Sequence, residues 1–353
     1  MNINLNIPIN DTGYGVVSKN IARELNQDNS ISLFPIGQPS AKSQKEYDMY
    51  MQMLNNAITF DSSAPTLKIW HQFDLAQRTG NGIYTAFPFF ELDTFDDREK
   101  HQMKVPDQFV VASTWAKEVM EKNGITQSIK VVPMGVDRSI FDSALYANEI
   151  ANKDKYIFLT IGKWEVRKGH DILDDIFSKA FPSQKDVELW ILAAEHTSSY
   201  CTKQEIEEWK NKYVKDSRIR IIGGVETQQE IAKIIQYTDC GLYISRAEGW
   251  NLELLETMSM NKPCIATDYS GHKEFCNKDN CFLVNITDLE PAFDGKAFKK
   301  QGNWAKIDNN SIEQTIEHMR YVYNNNIKTN EYGLETAKKL SWENTAKQIS
   351  EFL

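Results

Sequence analysis

Seven residues separate Glu248 from Glu256 in the run EGWNLELLE, which passes from a loop into a helix. At such a junction the N–H groups of Trp250, Asn251 and Leu252 have no partner within the helix, and the helix dipole adds partial positive charge. Phosphate or sugar hydroxyl oxygens fit that environment. A wholly helical step from one glutamate to the other would span ~12 Å, too far for both carboxylates to hold one group. Glu248 on the loop is therefore expected to meet a sugar, and Glu256, lower on the helix, a ribose diol. Two ordinary surface acids remain an alternative. With the Trp250 ring beside them, the segment suits one elongated ligand: a sugar joined to a nucleotide through a diphosphate.

Other residues could serve the same ligand. IGKWEVRKGHD supplies Lys163, Arg167 and Lys168 between Gly162 and Gly169. Three cations on a glycine-flanked loop suit a diphosphate, since glycine permits close backbone approach and the ammonium groups act as point charges. An exposed basic loop is the other reading. In NDTGYGVVSKN, Gly13 and Gly15 open a helix and could bring backbone to a phosphate, or could simply make a tight turn. His71, one of six histidines, follows the strand-like TLKIW, with Glu91 placed similarly after YTAFPFF; each is either structural or part of a site. KPCIATDYSGHKE could close over a ligand or turn the chain.

Short apolar runs must carry these loops. INLNIP, ISLFPIG, TLKIWH, GIYTAFPFF, QFVVAS and SIKVVPMG are the strand candidates of the first part. YIFLTIG, VELWILAA, IRIIGG, GLYIS, PCIAT and CFLVNI are those of the second. Helix-patterned stretches such as VVSKNIARELN and TWAKEVMEKNG lie between several of them. That alternation predicts an α/β protein of two doubly wound domains. Ligands of such sheets collect beyond the carboxyl ends of the strands, so paired sheets facing across a cleft would bring post-strand loops together. The seam is expected within FDSALYANEIANKDK, where the polar stretch from Asn148 to Lys155 interrupts the periodicity.

The bulk numbers bound the answer. A chain of 353 residues exceeds one simple core. Its net charge of −9 argues against nucleic-acid binding. Apolar runs stop short of the ~18–20 residues that cross a bilayer, and MNINLNIPIN lacks a secretory pattern. Five cysteines without CxxC spacing make zinc a poor fit, and a cytoplasmic location is expected. Hydrolase elbow, HExxH, Walker and complete dinucleotide fingerprints do not occur.

Taken in order, GYG, GKWEVRKG, EGWNLELLE and KPCIATDYSGHKE resemble the retaining glycosyltransferases of family four, which have the GT-B fold. STWAKEVMEKNG, VVPMGVDRSIF and LSWENTAKQI add to the likeness. The resemblance implies a Rossmann-like acceptor domain at 1–146, a donor domain at 147–335, and a C-terminal helix at 336–353 that returns to the first domain. It implies Lys163 and Lys168 on the donor diphosphate, Glu248 on the sugar, Glu256 on the ribose, Gly15 near the phosphates and His71 at sugar or acceptor. Lys163 stands where arginine is commoner, Met134 where histidine is. Trp250, Asn251 and Glu253 replace Phe, Gly and Pro, and Asn251 is expected to reshape the sugar pocket.

The implied activity is hexosyl transfer from a nucleoside-diphosphate sugar to an acceptor hydroxyl, with retention and without metal or other cofactor. The acceptor is a saccharide, a lipid-linked sugar or a protein; peripheral membrane contact is compatible. A nucleotide-sugar epimerase of the same fold, a non-catalytic nucleotide-sugar binder and a two-domain solute-binding protein are the competing readings.

Overall fold

The computed structural model describes residues 1–149, 153–193 and 201–353. Two compact units emerge: Met1–Gly135 with Leu340–Leu353, and Val136–Lys339.

The first unit holds strands β1 (Asn2–Ile7), β2 (Ser30–Pro35), β3 (Thr66–Ile69), β4 (Tyr84–Phe87), β5 (Gln108–Val111) and β6 (Ser128–Val131). All pair in parallel, in the order β2-β1-β3-β4-β5-β6. Helices α1 (Gly13–Asp28), α2 (Gln44–Asn56), α3 (Asp97–Gln102) and α4 (Thr114–Lys122) connect them. Their starts follow from side-chain caps: Thr12, Ser43, Asp96 and Ser113 each accept an otherwise orphaned amide. One core cluster joins Tyr84, Phe109, Val111, Val119 and Met120. Each such buried side chain contributes about 1.5–3 kcal/mol.

The second unit repeats the scheme with β7 (Tyr156–Ile161), β8 (Val187–Leu192), β9 (Ile219–Ile222), β10 (Cys240–Tyr243), β11 (Cys264–Thr267) and β12 (Phe282–Val284). The order is β12-β11-β10-β7-β8-β9, again all parallel. Helices α5 (Leu173–Ala180), α6 (Lys203–Tyr213), α7 (Gln228–Tyr237), α8 (Leu252–Ser259), α9 (Asn309–Asn324) and α10 (Glu331–Lys339) belong here, while α11 (Trp342–Ser350) packs on α1 in the first unit. Every one of the twelve expected runs contains a strand, although Ala194 of VELWILAA lies outside the described residues. The order alternates as a doubly wound sheet requires, and two Rossmann-like α/β units result.

Three features depart from the sequence reading. An antiparallel hairpin, β13 (Leu289–Phe293) with β14 (Lys299–Ala305), was not anticipated. The first unit ends at Gly135 rather than residue 146, because Val136 onward belongs to the second unit. There the Ser259 hydroxyl donates to the Phe141 carbonyl, and a 3-10 segment at Ser143–Glu149 meets α7. Residues 150–152 of the proposed seam lie outside the described residues. The chain returns to the first unit at Leu340 rather than 336, since α10 stays packed on α8.

Candidate active site

In the second sheet β7 has β8 on one side and β10 on the other, so chain direction across the sheet reverses between β7 and β10. That is the switch point at which doubly wound sheets bind ligands. Two loops leave it: Gly162–Gly169 after β7, and Ile244–Asn251 after β10. They are fastened to each other. Arg246 N donates to Arg167 O at 2.7 Å, and the Arg246 guanidinium grips Asp171 through two hydrogen bonds of 2.7 and 2.8 Å. Gly169 has φ +82°, and a Cβ there would lie 2.5 Å from Ile244 O. Only glycine allows this approach without strain.

Four charges meet where the loops touch. Lys168 Nζ is 2.8 Å from Glu248 Oε1, and Arg167 Nη1 is 2.8 Å from Glu248 Oε2. Arg167 also bonds Glu165 and the Ala247 carbonyl. Burial opposes the Glu248 charge, but Arg167 and then Lys168 outweigh it and hold the carboxyl well below the usual carboxylate range. Burial likewise opposes the Lys168 charge, and Glu248 and Glu253 keep that ammonium more basic than usual. The Lys168 stem lies over Gly162, where a Cβ would come within 3.0 Å of Cδ. The three expected phosphate cations thus divide. Lys163 is exposed, Lys168 borders the site, and Arg167 is committed to two glutamates.

Next along the chain, Asn251 adopts φ +84° and caps α8, its Oδ1 accepting from Leu254 N at 3.2 Å. The amides of Leu252 and Glu253 have no protein acceptor among the described residues. They form an anion-facing helix start four residues after Glu248. Two expectations need correction. The Trp250 ring is 2% exposed and packs on Phe275, so it is turned into the core and not offered to a ligand. The Asn251 side chain also points inward, its Nδ2 lying 2.9 Å from His272 Nε2.

The Asp268–Glu274 turn sits beneath this loop. Ser270 Oγ accepts from Glu248 N at 2.8 Å, and Gly271 N donates to Glu248 O at 2.9 Å. A Cβ on Gly271 would strike Gly249 at 2.7 Å. Glu256 is buried on α8; burial raises its pKa well above the carboxylate range, with Glu253 and Asp137 adding to the effect.

The first sheet has its own switch point, between β1 and β3. There the Tyr14 hydroxyl lies 3.2 Å from His71 Nδ1 and donates to Phe89 O at 2.9 Å. His71 stacks on Phe73 with centroids 4.8 Å apart. The two glycines beside Tyr14 differ. A Cβ on Gly15 would lie 2.1 Å from Asn10 O, whereas one on Gly13 meets nothing within 4 Å. Close packing, not only ligand approach, explains Gly15.

Comparison with known proteins now adds to this geometry. Residues 155–296, which include both switch-point loops and α8, match the family model described as glycosyl transferases group 1. That stretch is similar to the group 1 glycosyltransferases. A stretch of 137 residues is 26% identical to an uncharacterized glycosyltransferase of Methanocaldococcus jannaschii, covering 38% of this chain and 31% of that relative's length. Among solved structures, sucrose-phosphate synthase from Thermosynechococcus elongatus aligns with TM-score 0.71 at 13% identity, over 100% of this chain and 98% of that one. Anabaena HepE, solved in complex with UDP-glucose, aligns with TM-score 0.70 at 14% identity, over 100% and 99%. The fold is GT-B.

Sequence reasoning missed His272 and Tyr14. His272 stood inside KPCIATDYSGHKE, a motif read as closing over a ligand or turning the chain, and Tyr14 between two glycines that drew the attention. Among the described residues, no helix is long and apolar enough to cross a membrane.

Proposed function

We propose that the protein transfers a hexose from a nucleoside-diphosphate sugar to an acceptor hydroxyl, with retention of anomeric configuration and without a metal. The observation that carries this is the meeting of Lys168, Glu248 and the open amides of Leu252 and Glu253 at one switch point. A diphosphate at the α8 start would face those amides and Lys168, with Lys163 on the same loop. Glu248 would take sugar hydroxyls and Glu256 the ribose diol. When the sugar C1–oxygen bond breaks, negative charge grows on the departing diphosphate, and preorganised donors stabilise it there. The acceptor oxygen then bonds C1 on the same face, and its proton passes to the departing phosphate oxygen. Burial of Glu248 between two cations keeps it ionised and rigid, as positioning of a neutral sugar requires.

The acceptor, whether saccharide, lipid-linked sugar or protein, falls to the first unit, with Tyr14 and His71 at its switch point. Contact with a membrane surface and a cytoplasmic setting are parts of the same proposal.

Incubation with UDP-, GDP- and ADP-hexoses and a panel of acceptors tests it. Nucleoside diphosphate should be released with stoichiometric transfer, NMR should report the donor's anomeric configuration in the product, and EDTA should leave the rate unchanged. Donor-independent behaviour throughout, or an inverted product, would overturn the reading or its stereochemical part respectively.

A further inference from the structure

Asn251 occupies a backbone conformation, φ +84°, in which a side chain is ordinarily a liability. Here both ends of its carboxamide are engaged. Oδ1 accepts from Leu254 N, and Nδ2 donates to His272 Nε2 at 2.9 Å. For His272 to accept at Nε2, its proton must sit on Nδ1, and Nδ1 lies 2.9 Å from the Thr267 carbonyl, which takes that proton's hydrogen bond. A continuous chain therefore runs from the end of β11, through the His272 ring and the Asn251 amide, to the first turn of α8. The Thr267 hydroxyl extends it to the Ser245 carbonyl, on the loop that carries Glu248. His272 is 1% exposed, so it cannot touch a ligand itself.

We infer that His272, acting through Asn251, is the positioning residue that aims the α8 amides and the Glu248 loop at the donor. The inference rests on the donor reading of this site. Its physical content is directional. Without an acceptor at Nε2 the Asn251 carboxamide is free to turn over, the Leu254 cap is lost, and the open amides of Leu252 and Glu253 lose their fixed direction.

The device is also sensitive to protonation. Burial favours neutral His272, against the pull of Glu248, while Lys168 and Arg167 also favour the neutral form, so its pKa lies below the usual histidine value. Glu248, Lys168 and Arg167 are the charged groups that act on the ring, and its hydrogen-bonding neighbours are Thr267 and Asn251. Protonated Nε2 becomes a donor opposite the Asn251 NH2, and the contact breaks. Donor affinity should accordingly weaken as pH falls below the ordinary histidine range.

The test uses the full chain and whichever of UDP, GDP or ADP binds it most tightly by calorimetry. His272→Leu should weaken that affinity about tenfold or more. His272→Gln, which offers an acceptor that does not titrate, should restore most of it and flatten the acid-side pH dependence. In an Asn251→Gly background, His272→Leu should cost little further affinity, because the contact is already gone. Equal affinity in His272→Leu and wild type, or a full loss persisting in the Asn251→Gly background, overturns the inference. A ligand-free measurement separates it from the donor reading: hydrogen exchange at the Leu254 amide should accelerate in His272→Leu and not in His272→Gln. If no nucleoside diphosphate binds the wild type, the donor reading fails, and exchange at Leu254 still decides the positioning claim.

Discussion

Lys168 and Glu248 leave the carboxyl ends of two different strands, β7 and β10, yet their charged atoms stand 2.8 Å apart. Arg167 is beside them at the same distance from the other carboxylate oxygen. The two cations look equivalent in sequence and are not equivalent in place. Arg167 lies between Glu165 and Glu248, so its charge is absorbed by protein. Among the described residues Lys168 forms an ion pair with Glu248 and no other acid, and it keeps donor capacity for a ligand oxygen.

Truncating each should separate the roles. Arg167→Ala would leave Glu165 and Glu248 without their shared cation, and loss of one partner of a buried pair costs about 3–5 kcal/mol. Chemical denaturation should show it. Lys168→Ala leaves Glu248 held by Arg167, so stability should fall far less while turnover drops about 100-fold, the scale of removing one preorganised charge donor. Equal stability losses in the two variants would contradict this division.

The glycines of the GYG run provide a second contrast. Gly15→Ala would place Cβ 2.1 Å from the Asn10 carbonyl, which is backbone and cannot step aside. The cost should reach the upper end of overpacking, about 3 kcal/mol. Gly13→Ala meets open space at the first position of α1 and should be neutral or stabilising by about 0.5 kcal/mol. Comparison of unfolding midpoints checks both, and a destabilised Gly13→Ala would show that its backbone needs more freedom than the α1 start suggests.

Much of this was legible in the residues because parallel strands are buried on both faces and read as unbroken apolar runs. YIFLTI and CGLY announce themselves that way, and the loops after them had to hold the site. What failed was legibility of direction and pairing. Sequence counts Arg167 among three cations but does not reveal that Glu165 reaches it. Nor does it reveal that Phe275 waits to cover the Trp250 ring. The hairpin escaped because LEPAF contains a proline and alternates poorly, and KKQGNWA is half polar. The unit boundary was misplaced because a polar stretch marks low hydrophobicity, whereas a boundary is set by what the preceding segment packs on, here Ser259 and α7.

Trp250 tests the correction of its orientation. Its indole N–H is buried with no acceptor among the described residues, which carries a penalty of about 1–3 kcal/mol. Trp250→Phe removes that orphan donor and some packing volume together, so net stability should change by less than about 1 kcal/mol. Because the ring faces Phe275, affinity for a nucleoside diphosphate should remain within about twofold. A large loss of affinity measured by calorimetry would place the ring at the ligand after all.

Glu256 gives the most demanding prediction, because stability and binding should move in opposite directions. No described residue donates a hydrogen bond to its carboxyl, while burial, Glu253 and Asp137 all raise its pKa. Between the unfolded carboxyl value, about 4.3, and its raised folded value, the native state holds a proton that the unfolded chain has released. Stability therefore falls as pH climbs through that window. Glu256→Gln removes the titration, so the variant should match wild type near pH 4 and exceed it increasingly toward neutrality. Melting temperatures recorded across that range check the sign. A ribose diol that supplies the missing donors would favour the ionised wild-type carboxylate, so the same substitution should weaken nucleoside diphosphate binding about 10-fold, the worth of a hydrogen bond to a charged group. Lower stability in Glu256→Gln at neutral pH, or unchanged affinity, would mean that this buried acid serves the fold and not the ligand.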